Sequence, residues 1–120
     1  MKLVYIAGPY RGENTSEVTH NIQRAREAAE EVWLAGGAAL CPHLNSAYMD
    51  GLVDDEAFLE AGLLMLERCD AVRVISISHP GGRRSEGTER EFVRARQLGM
   101  PVLYSLSDVV GFLGDGEARS

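Results

Sequence analysis

The sequence lacks any long hydrophobic run and any pattern typical of a secretory signal. No apolar stretch reaches the ~18 residues that a membrane-spanning helix requires. The opening residues, MKLVYIAG, enter a strand pattern at once and show no cleavage site. We therefore expect a cytoplasmic protein with no membrane partner.

Cysteine and metal-binding patterns are also scarce. The two cysteines, Cys41 and Cys69, stand in apolar surroundings, so we expect buried free thiols. There is no CxxC, HxxxH or HxE pattern, and the histidines are scattered at His20, His43 and His79. Neither a dinucleotide GxGxxG nor a phosphate-loop GxxxxGK is present. We expect no metal and no organic cofactor.

Positive charge is in deficit, which argues against nucleic acid as a partner. The chain has 12 Lys and Arg against 18 Asp and Glu, a net charge of −6. Binding to a nucleic-acid backbone requires clustered basic residues. A small anion needs only one local positive pocket, so a small-molecule ligand remains compatible with this balance.

The length of the sequence predicts a single domain. The 120 residues correspond to one compact domain, residues 1–120.

Apolar periodicity predicts alternating strands and helices. The predicted strands cover residues 2–9, 38–42, 70–78 and 101–106. The predicted helices run from a Thr15 or Ser16 cap to about Ala35, over 55–67 from an Asp54 or Asp55 cap, over 88–98, and from a Ser107 cap to a polar tail at about 114–120. This order predicts an α/β fold, a doubly wound, flavodoxin- or Rossmann-like parallel sheet of four to five strands with helices on both faces.

The loop after the first strand has the composition of an anion cradle. Gly8 and Gly12 let the main chain approach a ligand closely, and Arg11 can grip a phosphate with two hydrogen bonds. We assign Gly8, Tyr10, Arg11 and Gly12 to phosphate binding. An ordinary turn after a strand is the alternative interpretation.

The segment SEGTERE supplies a second candidate contact and a carboxylate. Ser85 and Gly87 lie where a helix begins, so its first amide groups point into the loop. Glu91 falls one turn inside that helix, with Phe92 and Ala95 expected on its core face. The alternative is that the acidic residues simply favour the helix N-terminus.

The loop after the second strand, CPHLNSAYMDG, carries further polar candidates. His43 and Asn45 are expected to contact a base or a sugar, and a hydrogen-bonded loop explains them equally well. Asp50 precedes Gly51, which is typical of a turn, and it is also an acid near the expected site. In parallel sheets, ligands bind beyond the carboxyl ends of the strands, and all of these loops lie there.

Three segments together resemble a known family. VYIAGPYRG, CDAV and SEGTEREFVRARQLGMPV are similar to the nucleoside 2-deoxyribosyltransferase superfamily. The similarity is greatest to its small members, which include deoxynucleoside 5′-monophosphate N-glycosidases, and it spans about residues 3–106. The resemblance implies a nucleoside or nucleotide substrate and a homodimer or larger homo-oligomer.

The resemblance also implies roles for individual residues. Glu91, eight residues before Gly99, matches the nucleophile that attacks the anomeric carbon of the sugar. Ser85 stands where the monophosphate glycosidases have Ser and the free-nucleoside transferases have an acid, which favours a 5′-phosphate. Tyr5 matches a strand tyrosine beside the nucleophile.

One position departs from the family pattern. The family carries an Asp eight residues before the Asp of the CDAV-like segment, and here that position is Gly62. A missing acid of this kind lowers a rate by about 10²–10⁴-fold, so slow turnover is expected unless Asp50 substitutes. A second resemblance, to the PGGxGTxxE signature of cytokinin-releasing phosphoribohydrolases, again points to Glu91 and to an N-glycosidic bond.

The sequence therefore predicts an enzyme that cleaves or transfers an N-glycosidic bond. Glu91, Tyr5 and Asp50 are the candidate catalytic residues. A nucleotide-binding or sensing module without catalysis is the alternative, and Gly62 favours it. A small α/β domain whose helix faces serve a homo-oligomer is the third interpretation.

Overall fold

The computed structural model describes residues 1–47, 49, 51–76 and 84–114. Four strands and five helices alternate along this part of the chain. The strands are β1 (Leu3–Ala7), β2 (Ala38–Leu40), β3 (Ala71–Val74) and β4 (Val102–Leu103). The helices are α1 (Thr15–Leu34), α2 (Pro42–Asn45), α3 (Asp55–Glu67), α4 (Glu86–Gln97) and α5 (Leu106–Gly114).

The strands form one parallel sheet in the order β2-β1-β3-β4. Tyr5 of β1 lies opposite Leu40 on one side and Val72 on the other, so β1 is a central strand. The chain leaves β1 toward β2 and leaves β3 toward β4, which makes the boundary between β1 and β3 a topological switch point. Ligands bind at the carboxyl edge of such a boundary.

The two faces of the sheet bury different helices. Val4 and Ile6 belong to the core cluster that contains α1 and α5, whereas Tyr5 and Ala7 belong to the cluster that contains residues of α3 and α4. Successive strand residues point to opposite faces, which explains this division. The predicted doubly wound α/β fold, with helices on both faces of a four-stranded parallel sheet, is confirmed.

Three helix starts differ from the prediction. Asn14, not Thr15 or Ser16, caps α1, since its side chain accepts from the amide of Glu17. Helix α4 begins at residue 86 instead of 88, because the Ser85 side chain caps its first turn. Ser105, not Ser107, accepts from the amide of Asp108 at the start of α5. In each case the earlier residue satisfies an amide that has no acceptor inside the helix.

The segment after β2 is also more regular than predicted. Residues 42–45 form the single turn α2, with Pro42 at its first position, where the missing amide hydrogen has no cost. Strand β3 is shorter than its predicted range, and residues 77–83 lie outside the described part of the chain. Within the described residues, no helix is long and apolar enough to span a membrane. Cys41 is buried, Cys69 is partly buried, and both are free thiols.

Candidate active site

The centre of the candidate site is a hydrogen bond between β1 and α4. Tyr5 is fully buried in the sheet, and its hydroxyl donates to Oε2 of Glu91. Ala95 is buried and Phe92 packs against the same core cluster, so α4 is anchored with Glu91 partly buried above β1. The contact expected between Tyr5 and Glu91 is present.

Helix α3 closes a third side of this pair at Gly62. A Cβ atom at Gly62 would lie 2.9 Å from the Tyr5 hydroxyl and 3.2 Å from Glu91 Oε2. The position at which the resembled family carries an acid therefore faces the carboxylate directly. The Tyr5 hydroxyl and the Glu91 carboxylate therefore occupy the space where that side chain would begin.

Burial controls the charge of the pair. It raises the pKa of Glu91 to about 7, while the hydrogen bond from Tyr5 acts in the opposite direction. Burial, and then the negative charge of Glu91, raise the pKa of Tyr5 far above its ordinary value. Tyr5 therefore remains a hydrogen-bond donor at every physiological pH, and Glu91 changes charge near neutrality.

Two buried polar side chains form hydrogen bonds to the backbone of the loop after β1. Nε2 of His43 lies 3.0 Å from the carbonyl oxygen of Pro9, and because a carbonyl only accepts, Nε2 is the protonated nitrogen. Nδ2 of Asn21 donates to the carbonyl oxygens of Tyr10 and Arg11, at 3.2 and 3.0 Å. Burial lowers the pKa of His43, so the ring stays neutral in this position.

These bonds determine where the loop amides point. The carbonyls of Tyr10 and Arg11 are directed at Asn21 in the interior, and no described peptide bond is cis. In a trans peptide the N–H is antiparallel to the C=O, so the amides of Arg11 and Gly12 point away from the interior. Successive amides with one direction form a concavity suited to an anion.

The two glycines of this loop lie in close packing. A Cβ atom at Gly8 would lie 3.0 Å from Cδ1 of Ile75, and one at Gly12 would collide with the side chain of Glu17 at the start of α1. Glycine is therefore required at position 12, whereas a side chain at position 8 would require Ile75 to shift slightly.

Arg11 extends across the site to α3. Its guanidinium forms an ion pair with Asp55, and the two side chains are 64% and 66% exposed. An exposed pair of this kind contributes about 0–1 kcal/mol, so an anionic ligand can compete for the arginine.

Ser85 and Gly87 belong to the first turn of α4. The Ser85 hydroxyl is buried, lies 2.8 Å from Oγ1 of Thr88, and accepts from the Thr88 amide. A Cβ atom at Gly87 would lie 2.8 Å from Cδ2 of Leu59, so this glycine lets α3 and α4 approach each other. The convergence of Arg11, Ser85 and the Gly87 amide on one anion stays a prediction.

Asn45 and Asp50 are the remaining candidates from the second loop. Asn45 is exposed at the end of α2, and its contact with a base or sugar stays a prediction, as does that of His43. Asp50 lies outside the described residues. Among the residues that the structure describes, no group of three or more His, Cys, Asp or Glu could hold a metal ion.

The role of Asn21 was missed by the sequence interpretation. A signal for it exists, because Asn21 is three residues after Val18 and four before Ala25, both on the apolar stripe of the first helix. An amide at such a position is buried and must find hydrogen-bond partners. Here those partners are backbone carbonyls of the candidate phosphate loop.

Comparison with known proteins gives a fold relative and a family. No curated protein matches the chain. The structure is similar to a 2-deoxyribosyltransferase from the psychrotolerant bacterium Bacillus psychrosaccharolyticus, with a TM-score of 0.62 and 19% identity over 83% of this chain and 69% of that one. At this identity, the similarity establishes a shared fold. Residues 2–105 match a family model, and the chain belongs to the family described as Domain of unknown function (DUF7768).

Proposed function

We propose that the protein cleaves or transfers the N-glycosidic bond of a nucleoside or nucleoside 5′-monophosphate, with Glu91 as the nucleophile. The observation that carries this proposal is the partly buried Glu91 carboxylate, held by Tyr5 of the central strand. The shared fold with a 2-deoxyribosyltransferase supports it. Strongly perturbed carboxylates are concentrated at functional sites.

The proposed chemistry follows from which carboxylate oxygen is occupied. Tyr5 donates to Oε2, which leaves Oε1 of Glu91 to attack the anomeric carbon of the sugar. The C–N bond breaks, its electron pair leaves with the base, and the base takes up a proton. The resulting glycosyl ester is then cleaved by water, which gives hydrolysis, or by a second base, which gives transfer.

The phosphate of a monophosphate substrate is assigned to two neighbouring elements. The amides of Arg11 and Gly12 point out of the first loop, and the first turn of α4 presents its amides and the positive end of its dipole. Because β1 and β3 are adjacent and parallel, their carboxyl ends lie at one edge of the sheet. Arg11 would exchange Asp55 for the phosphate.

A nucleotide-binding module without catalysis is the second candidate. The observation in its favour is Gly62, which places no acid beside Glu91 where the resembled family has one. Release of free base from deoxynucleoside monophosphates distinguishes the two candidates, because a binding module produces none.

Replacing the nucleophile tests the catalytic assignment. Glu91→Ala is expected to abolish base release, measured by chromatography on a panel of deoxynucleoside monophosphates, and to leave monophosphate affinity by calorimetry largely unchanged. The reason is that Glu91 acts at the anomeric carbon and not on the phosphate. Glu89 lies on the same helix and forms an ion pair with Arg84, so Glu89→Ala is the matched control and is expected to keep its activity. Equal base release from wild type and Glu91→Ala would exclude Glu91 as the nucleophile.

The pH dependence of base release reports the charge of Glu91. The nucleophile must be ionised and its pKa is raised to about 7, so kcat/KM is expected to rise with pH up to about 7 and then level off. In Tyr5→Phe the hydrogen bond that lowers this pKa is lost, and the acid limb moves to higher pH. The substrate phosphate titrates near pH ~6 in both proteins, so the difference between them belongs to the enzyme. An acid limb at the same pH in both proteins would contradict this role of Tyr5.

The same raised pKa predicts a cost in stability. Glu91 titrates at 4.5 in an unfolded chain and at about 7 in the folded one, so the folded state binds more protons between these values. The free energy of unfolding is therefore expected to fall as pH rises through this window. Glu91→Gln removes the effect, and its gain over wild type is expected to be larger at pH ~8 than at pH ~5 by on the order of 2 kcal/mol.

Urea unfolding at the two pH values measures this difference. Glu89→Gln provides the control, since it removes an exposed ion pair on the same helix and changes stability by less than about 1 kcal/mol at either pH. A Glu91→Gln gain that is the same at both pH values would show that the carboxylate is not strained by burial.

The ion pair between Arg11 and Asp55 offers a test of the phosphate site. Asp55→Asn releases Arg11 and is expected to tighten monophosphate binding by about 2–5-fold, in line with an exposed pair, while Arg11→Ala weakens it. Glu56→Gln is the control, because it breaks a comparable exposed pair with Arg90 on α4. Calorimetry with a monophosphate and with the free nucleoside gives the affinities. If Asp55→Asn and Glu56→Gln change the affinity equally, the effect comes from the change in net charge and not from the release of Arg11.

A further inference from the structure

We infer that Gly62 is a positioning residue for Glu91, and this inference rests on the proposed function. The absence of a side chain at this position lets the backbone of α3 pack directly against the Tyr5–Glu91 pair. The glycine thereby leaves room for the carboxylate to accept the Tyr5 hydrogen bond through Oε2.

The backbone itself does not require glycine at this position. Gly62 lies inside α3, and the described glycines with a positive φ are Gly36, Gly51 and Gly99. Glycine also lowers the stability of a helix interior relative to alanine. What distinguishes Gly62 is its surroundings, because it is buried with Tyr5 Oη and Glu91 Oε2 as the neighbours of an added Cβ atom, at 2.9 and 3.2 Å.

An added methyl group would displace the carboxylate rather than the tyrosine. Tyr5 is fully buried in the central strand, opposite Leu40 and Val72, so a displacement of its ring would disturb the core. Helix α4 is anchored in the core by Ala95, but the end of the Glu91 side chain can rotate. The expected result is loss of the Tyr5 hydrogen bond and a shift of both carboxylate oxygens.

The departure from the family pattern at Gly62 therefore has a second interpretation. An Asp at position 62 would start from a Cβ atom already within contact distance of Glu91 Oε2 and would place a second carboxylate beside the first. Like charges this close cannot both ionise easily. In this chain, Gly62 therefore contributes a close fit to the nucleophile in the place where an acid is expected.

Gly62→Ala tests the inference, with Gly111→Ala as the matched control. Gly111 also lies inside a helix, α5, and an added Cβ atom would meet nothing within 4 Å. Gly62→Ala is expected to lower kcat by about 10–100-fold, as a small misplacement of a reacting group does, with monophosphate affinity unchanged. Its acid limb is expected at higher pH than in wild type, since Glu91 loses a hydrogen bond and gains an apolar neighbour. Gly111→Ala is expected to behave as wild type.

A double variant separates positioning from general damage. Tyr5→Phe removes the hydroxyl that the new methyl group would meet at 2.9 Å. If both substitutions act through the same hydrogen bond, Tyr5→Phe/Gly62→Ala is expected to lose about as much kcat as either single variant. The methyl group is also expected to be less destabilising in this background, which keeps the test valid if Gly62→Ala alone folds poorly. Additive losses of kcat would overturn the inference.

The outcomes distinguish this inference from the proposed function. If Glu91→Ala is inactive while Gly62→Ala has the kcat and pH profile of wild type, the positioning role fails and the nucleophile assignment stands. If base release is unaffected by Glu91→Ala, the proposed function itself fails. Gly62→Asp distinguishes two explanations of the glycine. Base release faster than in wild type would show that this chain lacks a catalytic acid at position 62. Slower release supports the inference that the glycine lets α3 pack closely against Glu91.

Discussion

The hydrogen bond between Tyr5 and Glu91 is the constraint on which the candidate site depends. A carboxylate in a partly buried place is unfavourable, and here the partner that stabilises its charge comes from the central strand. Two glycines on facing helices make this geometry possible. Gly87 brings α4 against Leu59 of α3, and Gly62 brings α3 against the carboxylate. Close helix packing and the unusual protonation of Glu91 are therefore aspects of one arrangement.

The candidate anion site relies on a different use of buried polar groups. Asn21 and His43 donate hydrogen bonds to three consecutive carbonyl groups of the first loop. Because those carbonyls are held inside, the amides that follow them face outward. A chain with a net charge of −6 can in this way present a local positive surface made of backbone dipoles and of Arg11, without a basic patch.

The order of elements and their faces were predictable because they follow from local patterns. Alternating apolar runs and helical stripes indicated a doubly wound parallel sheet, and the sheet and its two core clusters confirm it. The errors were local as well. The caps at Asn14 and Ser105 depend on which of several adjacent polar residues reaches an amide first, and periodicity does not distinguish among them. The turn α2 has no side-chain cap and is too short to show a helical period.

By itself, the sequence determined the fold class and, through a family resemblance, the choice of Glu91 as the candidate nucleophile. Only the tertiary structure decided what these residues contact. Tyr5 and Glu91 are 86 positions apart, and Arg11 and Asp55 are 44 apart. Whether such side chains meet depends on the distance at which α3 and α4 pack on the sheet. That distance is set by which atoms are absent at Gly62 and Gly87, and no local periodicity encodes it.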